Sequence, residues 1–446
     1  MSDTTRSLTA DSLDGLISSG LVRAVTVGVP DQQGRLAGKT FDARHYLDHI
    51  HSSGMEMCGY MLATDVHRTP VETQVSGWHE GFSDVTALPD GTTLVQAPWV
   101  NEHRALVLAD PYRDGTPVSV APRVQLQQQL TALEKSGIRA LAGLEAEFVL
   151  CDGGPDDNIR GLRPAHTRNA DYGLDPTPLD AVCSDLTSHL RAADVPLEAI
   201  KLEGAPGQVE ITCRYGSALQ AADRHLVLKH AASHTARTHG MTATFMAAPG
   251  EGIFSGLHIH LSLHQDGRPL LPGDDEVGLS AHGRHAIAGL LHLMPHLIPL
   301  YAPTPNSYRR YRTRSFAPTH YSWGIDNRSV AVRVTGHGTG RHLEIRLPGA
   351  DAQPHLALAA VLASVRHGLD NKPPLPAPVT GDGYAISSTS TPPLPTDLSA
   401  ALNTFGDGGA DAYISPETIA FFRNAALHEV NALRGEVPDT ERGRYL

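Results

Sequence analysis

The segment GLEAEFVL at 143–150 constrains this chain more than any other. It reads as a strand, and side chains on a strand alternate between two faces. Glu145 and Glu147 therefore share one face, while Leu144, Ala146 and Phe148 share the other. Two carboxylates on a partly buried face are costly unless a cation compensates them. The pattern recurs. KLEGAPGQVEITCRY (201–215) carries Glu203 and Glu210 on either side of an APGQ turn. GLHIHLSLH (256–264) sets His258, His260 and Ser262 on one face, and HLEIRLPG (342–349) does the same with Glu344 and Arg346. Any one of these reads more readily as a solvated sheet face. Together they read as a sheet whose one side is a polar, cation-filled site.

Five glutamates and one histidine suit two hard divalent ions, Mg²⁺ or Mn²⁺ rather than zinc. Paired divalent ions point to phosphoryl chemistry. The segment 306–334 adds Arg309, Arg310, Arg312, Arg314, Arg328 and Arg333. Only five of the 36 basic residues are Lys, so an isolated Arg means little in this chain. Density beside a carboxylate-rich site does mean something, because guanidinium groups grip carboxylate and phosphate in bidentate fashion. There is no GxxxxGK[ST] loop and no GxGxxG after a strand, which excludes a P-loop or Rossmann site.

At 446 residues the chain has room for two or three folding units. Its net charge of −12 argues against a nucleic-acid partner. No stretch approaches 18 consecutive apolar residues, and the N-terminus has no basic start followed by an apolar run. Neither a membrane span nor a secretory signal is expected. Four scattered cysteines without a CxxC read as free thiols of a cytoplasmic protein. Residues 22–31, 92–99 and 103–112 read as strands of a small β-rich first domain. After a Pro- and Gly-marked linker at 110–123, a helix begins at Pro122 and stops at Gly137. Further helices are expected at 177–193, 217–239, 283–300, 354–370 and 415–434. Strands are expected at 139–150, 196–203, 207–215, 241–247, 256–264, 329–334 and 342–347. The stretch 372–396 is expected to be a surface loop.

The motif set GLEAEF, EGAPGQVEI, SGLHIHLS, NSYRR…AP…DNRS and HLEIRLP resembles the glutamine synthetase superfamily from about 118 to 440. GWHEGFSDVTALPD (77–90) carries a weaker likeness. The resemblance implies an α+β chain. An N-terminal β-grasp domain would span 1–115, and a catalytic domain with a curved antiparallel sheet flanked by helices would span 116–446. It implies a double-ring dodecamer with ATP as co-substrate and two or three Mg²⁺ or Mn²⁺ ions per site. Glu147, Glu203 and Glu210 would hold one metal, and Glu145, His258 and Glu344 a second. Arg310 and Arg346 would bind the glutamate carboxylate. His260, Arg328 and Arg333 would contact phosphates, and Ser262 would lie near the nucleotide. Asp84 would reach the site of the adjacent subunit.

The departures from that family pattern are informative. Where true glutamine synthetases carry a Glu that handles ammonium, this chain has Phe316 in SFAPT. The family's FDGSS motif is replaced by MCGYMLATDVHRTPVE (57–72), with Asp65 as a weak substitute. The His-His before the first Glu of E…Q-x-E is Lys201-Leu202, and the Asn-Gly that contacts glutamate is Ile253-Phe254. Losing anionic ammonium contacts while keeping the metal ligands points to another nucleophile. The WGxDNR run (Trp323–Arg328) and SFAPT resemble the glutamate–amine ligase branch. The expected reaction joins glutamate to ethanolamine, a polyamine or another monoamine through γ-glutamyl phosphate, with Phe316 lining the amine pocket. Three alternatives stand beside it: an ordinary glutamine synthetase using ammonium, a ligase taking another acid, and a catalytically inactive structural homologue.

Overall fold

The computed structural model describes residues 8–158 and 161–438, together with 441, 442 and 444. The first seven residues of the stretch read above for a signal lie outside them. Two sheets and a helical layer build an α+β chain. The first sheet contains β1 (Ala24–Pro30), β2 (Leu36–Asp42), β3 (Met55–Cys58), β4 (Asp84–Pro89) and β5 (Arg104–Arg113). Their order is β2-β1-β5-β4-β3, with β1 and β5 parallel and the other pairs antiparallel. The expected strand at 92–99 is cut down to Val95–Gln96, because Asp90 caps a short 3₁₀ turn over Gly91–Thr93.

The second sheet is built on β6 (Arg139–Asp152), the longest strand. With it come β7 (Leu197–Leu202), β8 (Gln208–Cys213), β9 (Met241–Thr244) and β10 (Leu257–Gln265). The last three are β11 (Trp323–Ile325), β12 (Val332–Thr335) and β13 (His342–Ile345). The order is β11-β12-β13-β10-β6-β8-β7, and β9 pairs with the far end of β6. On β10 the residues between the polar ones, Leu257, Ile259, Leu261 and Leu263, are all fully buried. Burial of each such side chain contributes roughly 1.5–3 kcal/mol, and period-2 alternation then forces His258, His260 and Ser262 to the other face. A one-residue slip of register would send every ligand into the core.

Helices cover the apolar side. They are α1 (Ala10–Ser18), α2 (Pro122–Glu134), α3 (Asp180–Ala192), α4 (Ala218–Thr238), α5 (Ala281–Leu297), α6 (Pro354–Asn371) and α7 (Pro416–Arg434). Pro opens α2, α6 and α7 where its missing N–H costs nothing, and Ser217, Gln353 and Ser415 cap their helices. The helices α5 and α6 approach through glycines. A Cβ on Gly289 would lie 2.2 Å from Ser364 O, and one on Gly368 would lie 2.0 Å from His285 O. Among the described residues no helix is long and apolar enough to cross a membrane. The stretch 372–396 is largely irregular, with one 3₁₀ turn at Gly383–Ala385.

Candidate active site

Strand pairing turns the alternating pattern into a site. Register sets His258 opposite Glu145 and Glu210 opposite Glu147. It also sets both His260 and Arg333 opposite Glu344, from the two strands flanking β13. Glu203 follows β7 and arrives over the APGQ turn, where its backbone N–H donates to Gln208 O at 3.0 Å.

Two groups of three ligands result. Glu147, Glu203 and Glu210 form one, and Glu145, His260 and Glu344 the other; within each, the ligand atoms lie within 4.8 Å of one another. The first is the expected set. In the second, both imidazoles reach Glu145, with His258 Nδ1 3.1 Å from Oε2 and His260 Nε2 2.9 Å from Oε1. His258 Nδ1 also lies 3.8 Å from Glu344 Oε1, and its Nε2 is 3.9 Å from Glu147 Oε1. His258 thus stands between the two groups.

The electrostatics separate these carboxylates. Burial alone would raise Glu145, but hydrogen bonds from His258 and His260 hold it far below the usual carboxylate range. Burial also works against Glu344, yet Arg346, His258, His260 and Arg333 bring it down to about 2. Glu210 goes the other way. Burial raises it, and the charges of Glu145, Glu147 and Glu203 add to the effect beyond what Lys201 offsets. Carboxylates this close want more positive charge than the chain supplies. His260 Nε2 is buried and directed at Glu145 Oε1, 2.9 Å away. Both observations fit the donor set of divalent cations bound by oxygen and one imidazole nitrogen.

The arginines stand around this face in distinct roles. Arg310 and Arg346 are almost fully buried. Arg310 donates to the carbonyls of Arg346 and Leu347 at 3.2 Å, and its Nη2 lies 3.4 Å from His258 Nε2. Arg346 pairs with Glu344 and donates to Arg328 O at 3.1 Å and Phe316 O at 3.0 Å. Arg333 pairs with Glu344 at 2.7 Å and with Asp326. Arg328 has an exposed side chain. Phe316 is 66% exposed and held at φ 57°, a left-handed conformation costly for a side chain of its size.

Several partners escaped the sequence reading. Gln208 Nε2 donates to Glu147 Oε2 at 3.0 Å, and Gly256 N donates to the same oxygen at 2.7 Å, fixing that carboxylate. Lys201 pairs with Glu203 and lies over the Tyr172 ring. Beside the second ligand group, a cleft of about 400 Å³ is lined by Glu145, His260, Ser262, His342, Thr212 and the exposed Tyr215, among others. Asp84 lies apart from these groups on the first sheet, exposed at the start of β4 opposite Cys58.

The fold and this donor set define one class, and the chain belongs to the glutamine synthetase family, whose catalytic domain matches residues 119–445. It is 38% identical over 453 residues to a gamma-glutamylethanolamide synthetase of Streptomyces coelicolor, covering 100% of this chain and 97% of that one. It is 32% identical over 437 residues to a glutamate–isopropylamine ligase of a Pseudomonas species, covering 95% of each. Among solved structures, a GmaS–ADP complex superposes with a TM-score of 0.84 at 26% identity, covering 97% of this chain and 99% of that one.

Proposed function

We propose that this chain is an ATP-dependent ligase that joins the γ-carboxylate of glutamate to an organic amine. One observation carries the reading. Two carboxylate-rich ligand groups are tied through Glu344 and Arg346 to the carbonyl of an exposed Phe316, at the position where an ammonium-using enzyme would need an anion.

Glu147, Glu203 and Glu210 would hold one divalent ion, and Glu145 and Glu344 with His258 or His260 a second. Mg²⁺ or Mn²⁺ suits these ligands, two or three ions per site, and would screen the phosphate charge. ATP would occupy the cleft at His260 and Ser262, with Arg333 toward its phosphates. Arg310 and Arg346 would orient glutamate. The γ-carboxylate oxygen attacks the terminal phosphorus of ATP, ADP leaves, and γ-glutamyl phosphate forms. A neutral amine nitrogen then attacks the acyl carbon, phosphate leaves, and the nitrogen gives up a proton. Arg328 would stabilise charge on the transferred phosphoryl group. Asp84 and Trp78 are both exposed on the first sheet's side, Trp78 to 76%. That exposure supports the reading that they complete a neighbour's site in a dodecamer of two stacked hexamers. We place the enzyme in the cytoplasm, where its four free cysteines would stay reduced.

Phosphate release from ATP, glutamate and Mg²⁺ or Mn²⁺ tests the proposal with ammonium, methylamine, ethanolamine, isopropylamine and putrescine, products being checked by mass. Turnover with an organic amine should exceed turnover with ammonium. Ammonium equal to or above every organic amine would return the chain to glutamine synthesis. Silence across the panel would favour another acid substrate or an inactive homologue.

A further inference from the structure

Lys201 is the chain's own cation at the edge of the first ligand group. Its ammonium pairs with Glu203 and lies 3.6 Å from Asp171 Oδ1 and 4.0 Å from Glu210 Oε1. It also sits 4.5 Å from the centre of the Tyr172 ring. A ring face combined with carboxylates is a general receptor for ammonium groups. Here the chain fills that receptor with a side chain of its own, 24% exposed. The loop that supplies Asp171 and Tyr172 also presents Leu174, fully exposed, so the approach is apolar as well as acidic.

We infer that Lys201 is a specificity-determining residue that restricts the amine to those whose tail carries no second positive charge. The inference rests on the ligase reading above and adds the substrate class. The reacting nitrogen must be neutral to attack, so an amine with one nitrogen brings no lasting charge to this place. A diamine brings a second ammonium. With Glu203 and Glu210 taken up by the metal, the carboxylate left to receive it is Asp171, which already faces Lys201 at 3.6 Å, and like charges at such separations repel. An uncharged tail meets Tyr172 and Leu174 without that conflict.

The test compares butylamine with putrescine, which share a four-carbon chain and differ in the second nitrogen. Wild type should show kcat/KM for butylamine at least tenfold above that for putrescine. Lys201→Met should shrink that ratio about tenfold, and Lys201→Arg should preserve it. The melting temperature against Mn²⁺ concentration is read for each variant as well. Wild type using putrescine as well as butylamine would overturn the inference and leave the ligase reading standing. So would a Lys201→Met variant that gains Mn²⁺ affinity without any change in the amine ratio, since Lys201 would then merely neutralise the metal ligands. Should Lys201→Met fail to fold, Lys201→Gln replaces it and the wild-type ratio still decides. Turnover with ammonium alone would remove both readings together.

Discussion

Phe316 shows how much a single residue can carry. Its ring is exposed, and its backbone holds a conformation that costs a non-glycine residue on the order of 1–3 kcal/mol. Its carbonyl is nevertheless engaged, accepting from Arg346 Nη2 at 3.0 Å. The main chain and the ring therefore do separable jobs. Phe316→Gly should keep the carbonyl contact, relieve the left-handed strain and remove the ring. The expected outcome is a higher melting temperature with an amine KM raised roughly tenfold or more, the scale of losing an aromatic contact. The glutamate KM should stay within about twofold. A fall in melting temperature alongside an unchanged amine KM would make the ring a packing element. The sequence exposes the identity of this residue but not its positive φ, which depends on how the segment turns after Arg314, itself left-handed at φ 62°.

At the scale of elements, the acidic face makes a prediction about pH. Burial and then the neighbouring carboxylates raise the proton affinity of Glu210 in the folded chain. A carboxylate so raised holds its proton in the folded state when the unfolded chain has released it. Its stabilising contribution is full below its ordinary value of 4.5 and is lost as pH rises above that. Glu145 and Glu344 are lowered, so their contributions are lost only as pH falls below the ordinary range. Chelator-treated wild type should therefore lose stability relative to Glu210→Gln between pH 5.5 and 8.5, by at most about 1.4 kcal/mol per pH unit for one proton. Added Mn²⁺ should raise the melting temperature more at pH 8 than at pH 6, and Glu210→Gln should flatten the metal-free slope. A metal-free slope identical in Glu210→Gln and wild type would refute this. These elements were largely legible beforehand: the expected helices and most second-sheet strands lie within a few residues of their observed bounds. Period and caps are local signals. Which imidazole serves which carboxylate was not legible, because His258 and His260 share a strand face and both reach Glu145. The strands β2 to β4 went unread, their sequences lacking the clean alternation of β10.

The whole molecule is tied together away from the chemistry, by Arg123. This residue sits in the first turn of α2 and is buried to 1% exposure. It donates to Asp110 on β5 at 2.6 Å, to Asp90 after β4 at 2.6 Å, and to both oxygens of Asp223 on α4 at 2.9 and 3.0 Å. His355, at the start of α6, contacts the same Asp223 at 2.8 Å. One guanidinium thus joins the first sheet to three helices packed on the second. Burial opposes ionisation of Asp223, but His355 and Arg123 hold it below the usual range, whereas burial pushes Asp110 up. Burying such a knot of ion pairs gains little net free energy over an apolar cluster, whereas breaking it leaves uncompensated carboxylates. Arg123→Met should cost about 3–5 kcal/mol, read as the shift of the denaturant midpoint. Asp90, the most exposed partner at 28%, should cost only about 1 kcal/mol on change to Ala. The ligand groups do not include Arg123, so metal binding by whatever Arg123→Met protein remains folded should match wild type at low temperature. Equal, small losses for both variants would mean that apolar packing alone joins the two sheets. Loss of metal affinity without loss of stability would mean that the knot positions the site and does not hold the fold together.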